Sequence, residues 1–285
     1  MAIKIVTDST SYIPRSLIDE YDISVISLNV AFKDENFREI DIDNHSFYKK
    51  MKEKGIPMSS QPSVQELYDV FGNLAAEKND IVGIFLSSEM SGTYSTANMV
   101  KDMIHERYPE TDIEIIDSRS NCMQLGYAVI AAAKAAKEGR QMEEVVAEAE
   151  KNIKSSRFLF VPETLEYLKK GGRIGTASAL IGKILSINPI LTVAEGKTTV
   201  FDKVRTKKRA VQAMIATFEE DIRKFGFGDI IVHHINCEEE AKLIASMLKE
   251  RLGRNILIGS IGPVIGLHVG PGAIGIAYYT NEVLA

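Results

Sequence analysis

At 285 residues, with a formal net charge of -5, 45% apolar and 26% charged residues, the chain has the balance of an ordinary globular protein and room for two domains. The acidic surplus argues against a general nucleic-acid binder, which needs a basic surface, and no apolar run nears the roughly 20 residues that span a bilayer. Met1-Ala2-Ile3-Lys4-Ile5-Val6 enters a strand pattern at once, leaving no room for a signal peptide, and Cys122 and Cys237 lie far apart, outside any C-x-x-C pair, as expected of reduced thiols in a cytoplasmic protein.

In chain order, 3–6 and 23–28 read as strands. Ser63-Val64-Gln65-Glu66 has the capping-box pattern and opens a helix to about Glu77. A strand over 81–86, a helix over 91–108 and a strand over 113–116 follow. Helices over 123–138 and 142–155 are separated by Gly139-Arg140. Short β-rich runs alternating with helices predict a parallel sheet covered on both faces. The second half changes rhythm. It reads as a strand over 157–161, helices over 165–170 and 177–185 flanking Gly171-Gly172-Arg173-Ile174-Gly175, and a hairpin of 190–194 with 198–204. An amphipathic helix over 206–225, a strand over 230–234, a helix over 238–252, a strand over 256–261, a Gly/Pro-rich loop and a last strand over 274–279 complete it. The expected architecture is α/β with two domains. An N-terminal parallel-sheet domain covers 1–156. A C-terminal α+β domain with a mixed sheet covers 157–285. The boundary lacks a Pro-, Gly- or Ser-rich linker, which predicts tight packing with a crevice between the domains.

Three predicted strands end in similar chemistry: Thr7-Asp8-Ser9-Thr10-Ser11, Ser87-Ser88 and Asp117-Ser118. The carboxyl ends of parallel strands form the ligand crevice of an open sheet. The segment Leu86-Ser87-Ser88-Glu89-Met90-Ser91-Gly92-Thr93 stands out, because a serine-rich turn opening a helix gathers free backbone N–H groups and the positive end of the helix dipole. With Ser91 and Thr93 adding hydroxyls, the place suits a phosphate or a carboxylate.

Other motifs fail on context. Gly270-Pro271-Gly272-Ala273-Ile274-Gly275 matches G-x-G-x-x-G but leads into a strand, where a dinucleotide fold needs a helix. There is no G-x-x-x-x-G-K-[ST] loop and no G-x-S-x-G elbow. His233 and His234 are adjacent in a strand and point to opposite faces, so no metal and no cofactor are expected. A Ser91, His268 and Asp8 triad remains open, since triads are set by geometry.

Four polar features remain: Ser91 with Thr93, Ser59 in Ser59-Ser60-Gln61-Pro62, Arg173, and His268 in an apolar, Gly/Pro-rich run. Each has a plain explanation, as a cap, a loop hydroxyl, a solvated charge and a satisfied histidine respectively. Together with Thr7-Asp8-Ser9-Thr10-Ser11, Asp117-Ser118, Lys170-Gly171-Gly172-Arg173-Ile174 and His268-Val269-Gly270-Pro271-Gly272-Ala273-Ile274-Gly275, they make the chain resemble the DegV family, the fatty-acid-binding, lipid-carrying subunits of bacterial fatty acid kinase. The resemblance spans nearly the whole chain.

The resemblance implies two α/β domains with an apolar tunnel between them. A long-chain fatty acid lies in the tunnel with its carboxylate at the mouth. Ser91 takes the place of the principal carboxylate-binding serine, with Gly92 and Thr93 beside it. Ser59 stands where the family usually has threonine, keeping the hydroxyl without the methyl. Arg173 and His268 take the places of a basic pair near the head group. The implied role is non-enzymatic. The chain would present the carboxylate to a separate ATP-dependent kinase that forms the acyl phosphate for phospholipid synthesis, with only transient membrane contact. A serine-dependent acyl hydrolase using Ser91 and His268 is the alternative. Leu165, Leu168, Ile174, Ala177, Ala179, Leu180, Ile181, Ile184, Leu185 and Ile187 are the expected tail wall. Arg205, Lys207, Lys208 and Arg209 form a basic group that would suit an acidic kinase.

Overall fold

The computed structural model describes residues 2–181 and 187–284. The N-terminal half is built on β1 (Ile3–Asp8), which is followed by α1 (Arg15–Tyr21), β2 (Ser24–Ile26), β3 (Asn29–Ala31), β4 (Asn36–Arg38), α2 (Asn44–Lys54), β5 (Met58–Ser60), α3 (Val64–Ala76), β6 (Asp80–Phe85), α4 (Thr93–Arg107), β7 (Ile113–Asp117), α5 (Cys122–Lys137) and α6 (Met142–Ser155). Strands β2, β1, β6 and β7 form a sheet in that order, parallel throughout. One face is covered by α3 and α4 through Leu67, Phe71, Ala97, Val100 and Ile104. The other is covered by α5.

The chain then forms β8 (Ser156–Val161), α7 (Glu166–Lys170), β9 (Asn188–Ala194), β10 (Lys197–Val204), α8 (Lys207–Phe225), β11 (Asp229–His234), α9 (Glu238–Leu252), β12 (Leu257–Ser260), α10 (Pro263–Val269) and β13 (Ile274–Tyr279). Their sheet has the order β10-β9-β8-β13-β11-β12 and is mixed, parallel only between β11 and β12. Helix α5 packs on both sheets, against β1 and β6 on one side and β8 and β13 on the other. Its apolar residues run all round the helix, as a helix sandwiched between two sheets requires. Gly126 permits the approach: a Cβ there would sit 2.9 Å from the Ser11 carbonyl oxygen. Among the described residues no helix is long and apolar enough to cross a membrane.

Several expectations are corrected. The strand predicted over 23–28 is shorter, and beyond it lies an unpredicted antiparallel sheet, β4-β3-β5, with α2. Its three-residue strands are too short to carry an alternation signal. The run expected as a Gly/Pro-rich loop contains α10. Pro263 occupies its first turn and Gly270, at φ +91°, ends it, the usual asymmetry of helix termini. Because α10 is buried nearly all round, it shows no amphipathic period. Residues Gly175–Leu180 form a 3-10 turn where a helix over 177–185 was expected, and the end of that prediction lies outside the described residues. The capping box at Ser63 is half made: Ser63 Oγ accepts from Glu66 N at 3.1 Å, while the Glu66 carboxylate pairs with Arg38 at 2.9 Å. Lys207 is not a free docking charge, since its ammonium donates to Glu163, Glu240 and the Gly272 carbonyl.

Candidate functional site

Residues of the mixed sheet, of β5 in the small sheet, of α7 and α10, and of the turns beyond β2 and β6 line a cavity of about 310 Å³. Its polar end is assembled from four separate segments. Pairing of Val30 with Ser59 places Ser59 on β5 at the cavity. Its Oγ lies 2.9 Å from Nε2 of His268, in the last turn of α10. Ser91 stands just ahead of α4, with Gly92 as the cap residue. Ser91 Oγ is 2.9 Å from Thr93 Oγ1 and accepts from Thr93 N at 3.3 Å. Arg173 crosses between the two halves: Nε and Nη2 donate to the Met90 carbonyl at 3.2 and 3.0 Å, and Nη1 donates to the Gly171 carbonyl at 2.8 Å.

Two glycines make this packing possible. A Cβ on Gly92 would lie 2.1 Å from Gln61 Oε1. Gln61 Nε2 donates to Thr96 Oγ1 at 2.6 Å, tying the end of β5 to the first turns of α4. A Cβ on Gly171 would lie 2.1 Å from Nδ1 of His268. That nitrogen is buried without a hydrogen-bond partner among the described residues. Burial, and secondarily the Arg173 charge, lower the His268 pKa to about 4. His268 is therefore neutral at neutral pH, and among the described lining residues Arg173 is the one permanent positive charge where the resemblance implied a basic pair.

Ser59, Ser91, Gly92, Arg173 and His268 all line the cavity. Thr93 does not: it is fully buried and its hydroxyl braces Ser91. The polar strand ends converge as expected but hold the Ser91 turn from behind. Asp8 Oδ2 accepts from Leu86 N at 2.8 Å, and Asp117 accepts from Ser88 N and Oγ at 3.1 and 2.5 Å. The triad is not assembled. Ser91 pairs with Thr93, His268 with Ser59, and Asp8 with Leu86 N and Thr10.

The apolar wall also differs from expectation. Of the stretch expected to form it, Leu168 lines the cavity. Ala177 is buried and Ile174 partly buried in the main core, Leu165 packs against that core, and Ala179, Ile181 and Ile187 are exposed. Leu180 is half-buried, and Ile184 and Leu185 lie outside the described residues. The wall comes instead from β8 and α10. Phe158 and Phe160, two apart on a strand and so on one face, stack at 5.1 Å over the cavity, while Leu159 and Val161 turn into the opposite core. Val264, Ile265 and Val269 face them from α10, with Leu28 and Leu86 from the first half.

Sequence reasoning missed His233 and Asn121. His233 lines the cavity with Nδ1 donating to the Gly259 carbonyl at 3.0 Å and Nε2 accepting from Met123 N at 3.2 Å, which fixes a neutral ring. Burial lowers its pKa to about 4. Adjacency to His234 gave only the opposed faces. Asn121 lines the cavity from the start of α5, a place no periodicity marks.

The model of the DegV family, described as uncharacterised proteins, matches residues 2–281. A DegV domain-containing protein of Clostridium acetobutylicum is 58% identical over 282 residues, covering 99% of each chain. The crystal structure of DegV, a fatty acid binding protein from Bacillus subtilis, superposes with a TM-score of 0.88 at 34% identity, covering 98% of this chain and 99% of that one. A fatty-acid-binding DegV family protein from Thermus thermophilus superposes with a TM-score of 0.86 at 27% identity, covering 98% and 100%.

Proposed function

The chain belongs to the DegV family, and from that premise we propose that it binds a long-chain fatty acid in the cavity between its two sheets. The observation that carries this reading is how the cavity's chemistry is distributed. Two hydroxyls, a neutral imidazole and one guanidinium gather where β5, the Ser91 turn and α10 meet, while Phe158, Phe160, Leu168, Val264, Ile265 and Val269 supply aromatic and aliphatic wall. A buried carboxylate is costly unless hydrogen-bonded and near positive charge. Ser91 Oγ and Ser59 Oγ are the donors for its two oxygens. His268 Nε2 holds the Ser59 hydroxyl at 2.9 Å, and Arg173 supplies the field. At about 0.8 kcal/mol per buried CH₂, a long tail contributes on the order of 10 kcal/mol before ordering costs.

The role is that of a carrier. It buries the tail and offers the carboxylate, without catalysis of its own, to a separate ATP-dependent kinase that makes the acyl phosphate for phospholipid synthesis, and its membrane contact is transient. Ser91, His268 and Asp8 hydrogen-bond to different partners and not to one another, which supports a binding site over an acyl hydrolase. Native mass spectrometry of the purified chain tests the reading. A bound mass of a fatty acid, or uptake of added palmitate or oleate, is expected. No lipid and no uptake would end it. With activated acyl esters no burst of product is expected, and a burst abolished by Ser91→Ala would favour the hydrolase.

A further inference from the structure

Glu39 is a buried, multiply bonded acceptor in a place where the carrier reading gives it no part. It follows β4 and is 4% exposed. Its Oε1 accepts from the Tyr12 hydroxyl at 2.8 Å and from Val264 N at 2.8 Å, and its Oε2 accepts from Ser9 Oγ. Leu28 N donates to Ser9 Oγ at 3.0 Å and Ile265 N donates to the Tyr12 oxygen at 3.3 Å, so each hydroxyl that meets Glu39 is itself anchored by a backbone amide and keeps its proton free for the carboxylate. Gly262 allows the approach, since a Cβ there would lie 2.8 Å from Glu39 Oε1.

Val264 and Ile265 are the second and third residues of α10. Their amides are among those a helix start leaves unpaired, and Glu39 and Tyr12 take both. His268 lies one turn beyond Val264, and both line the cavity. At seven residues α10 is too short to hold its own geometry, so its rotation and rise are set by what grips its ends. One grip at each end comes from the small sheet or the turn that follows it, and Tyr12 adds another at the start. Glu39, bonded through its N to the Leu28 carbonyl, holds the first turn of α10 from the end of β4. Ser59 on β5 meets His268 in the last turn.

We infer that Glu39 is a positioning residue for the head-group site: by fixing the start of α10 from the small sheet, it sets His268 against Ser59. The inference rests on the carrier reading for its meaning in lipid binding, but its geometric core is independent of any ligand. Two readouts on the intact chain separate the two. In the ligand-free protein, Glu39→Ala should shift the His268 ring nitrogen signals in ¹⁵N NMR. Glu39→Gln, which keeps an acceptor for Val264 N and the Tyr12 hydroxyl, should return them most of the way. In titrations with palmitate and with hexadecanol, Glu39→Ala should weaken the acid at least tenfold more than the alcohol, because the alcohol lacks the carboxylate that the Ser59–His268 pair recognises. Tyr12→Phe, which removes one hydroxyl from the same grip, should act in the same direction and serves if Glu39→Ala does not fold. An unchanged His268 signal in the variants, or equal losses for acid and alcohol, overturns the inference. Failure of the unmutated chain to take up palmitate would count against the carrier reading alone, since the NMR readout still decides the role of Glu39.

Discussion

His268 Nε2 and Ser59 Oγ meet at 2.9 Å across the cavity although 209 positions separate them in the chain. The pair joins a helix of the second sheet's layer to a strand of the small sheet inserted in the first. The polar end of the cavity thus exists only when the two halves are docked. A ligand held there would tie its binding to the packing of the two halves.

Ser91→Ala should weaken palmitate binding by about tenfold, the loss of about one hydrogen bond to a charged group. Stability should change little, because among the described residues the Ser91 hydroxyl's hydrogen bonds are to the neighbouring Thr93. Titration calorimetry and thermal unfolding check this together. Unchanged affinity would reduce Ser91 to part of a turn.

Gly171→Ala isolates the imidazole sterically. The backbone at Gly171 has φ -76°, open to any residue, but its Cβ would come within 2.1 Å of His268 Nδ1. The ring must move off Ser59, so palmitate affinity should fall by at least tenfold. At Gly172, with φ +70° and open space around a Cβ, alanine should cost about 1 kcal/mol of stability and leave affinity near wild type.

Arg173 spans the two halves with a planar fork on two carbonyls, a geometry lysine does not reproduce. Both Arg173→Ala and Arg173→Lys should speed release of a fluorescent fatty acid in stopped-flow measurements, with lysine giving little rescue. Full rescue by lysine would mean that charge alone matters there.

Burial raises Glu39 to about 7 and Asp8 to about 6. Folded pKa values above the unfolded ones mean that these carboxyls favour folding below about pH 4, and that the contribution is lost as pH rises through 6 to 7. His233 and His268, both lowered to about 4, act oppositely: their contribution is present above about pH 6.5 and is lost as pH falls toward 4. The stability of the wild type relative to Glu39→Gln should therefore decline from pH 5 to pH 8 in denaturant titrations. A difference that stayed flat would contradict a raised Glu39.

Much of the architecture was legible because the long elements carry strong signals. The alternation of apolar strands with helices such as α3 and α5 pointed to the parallel sheet, and the hairpin expected from 190–194 with 198–204 is β9 and β10. The small sheet and α10 were not legible, since three-residue strands and a buried two-turn helix have no period to detect. The cavity-lining polar residues carried over by motif, Ser59, Ser91 and His268, do come together. The supporting residues Glu39, Tyr12 and Gln61 escaped because their partners lie 27 to 253 positions away and only the fold brings them into contact. The tail wall was misplaced for the same reason: Phe158 and Phe160 face the cavity because of how β8 sits in its sheet, not because of local composition.

A crystal structure of the chain grown with palmitate tests the central claim most directly. Elongated density is expected in the cavity, with its carboxylate within hydrogen-bonding distance of Ser59 and Ser91 Oγ and its tail along Phe158, Phe160 and Val264. A carboxylate seated elsewhere, or palmitate absent from this cavity at saturating concentration, would contradict it.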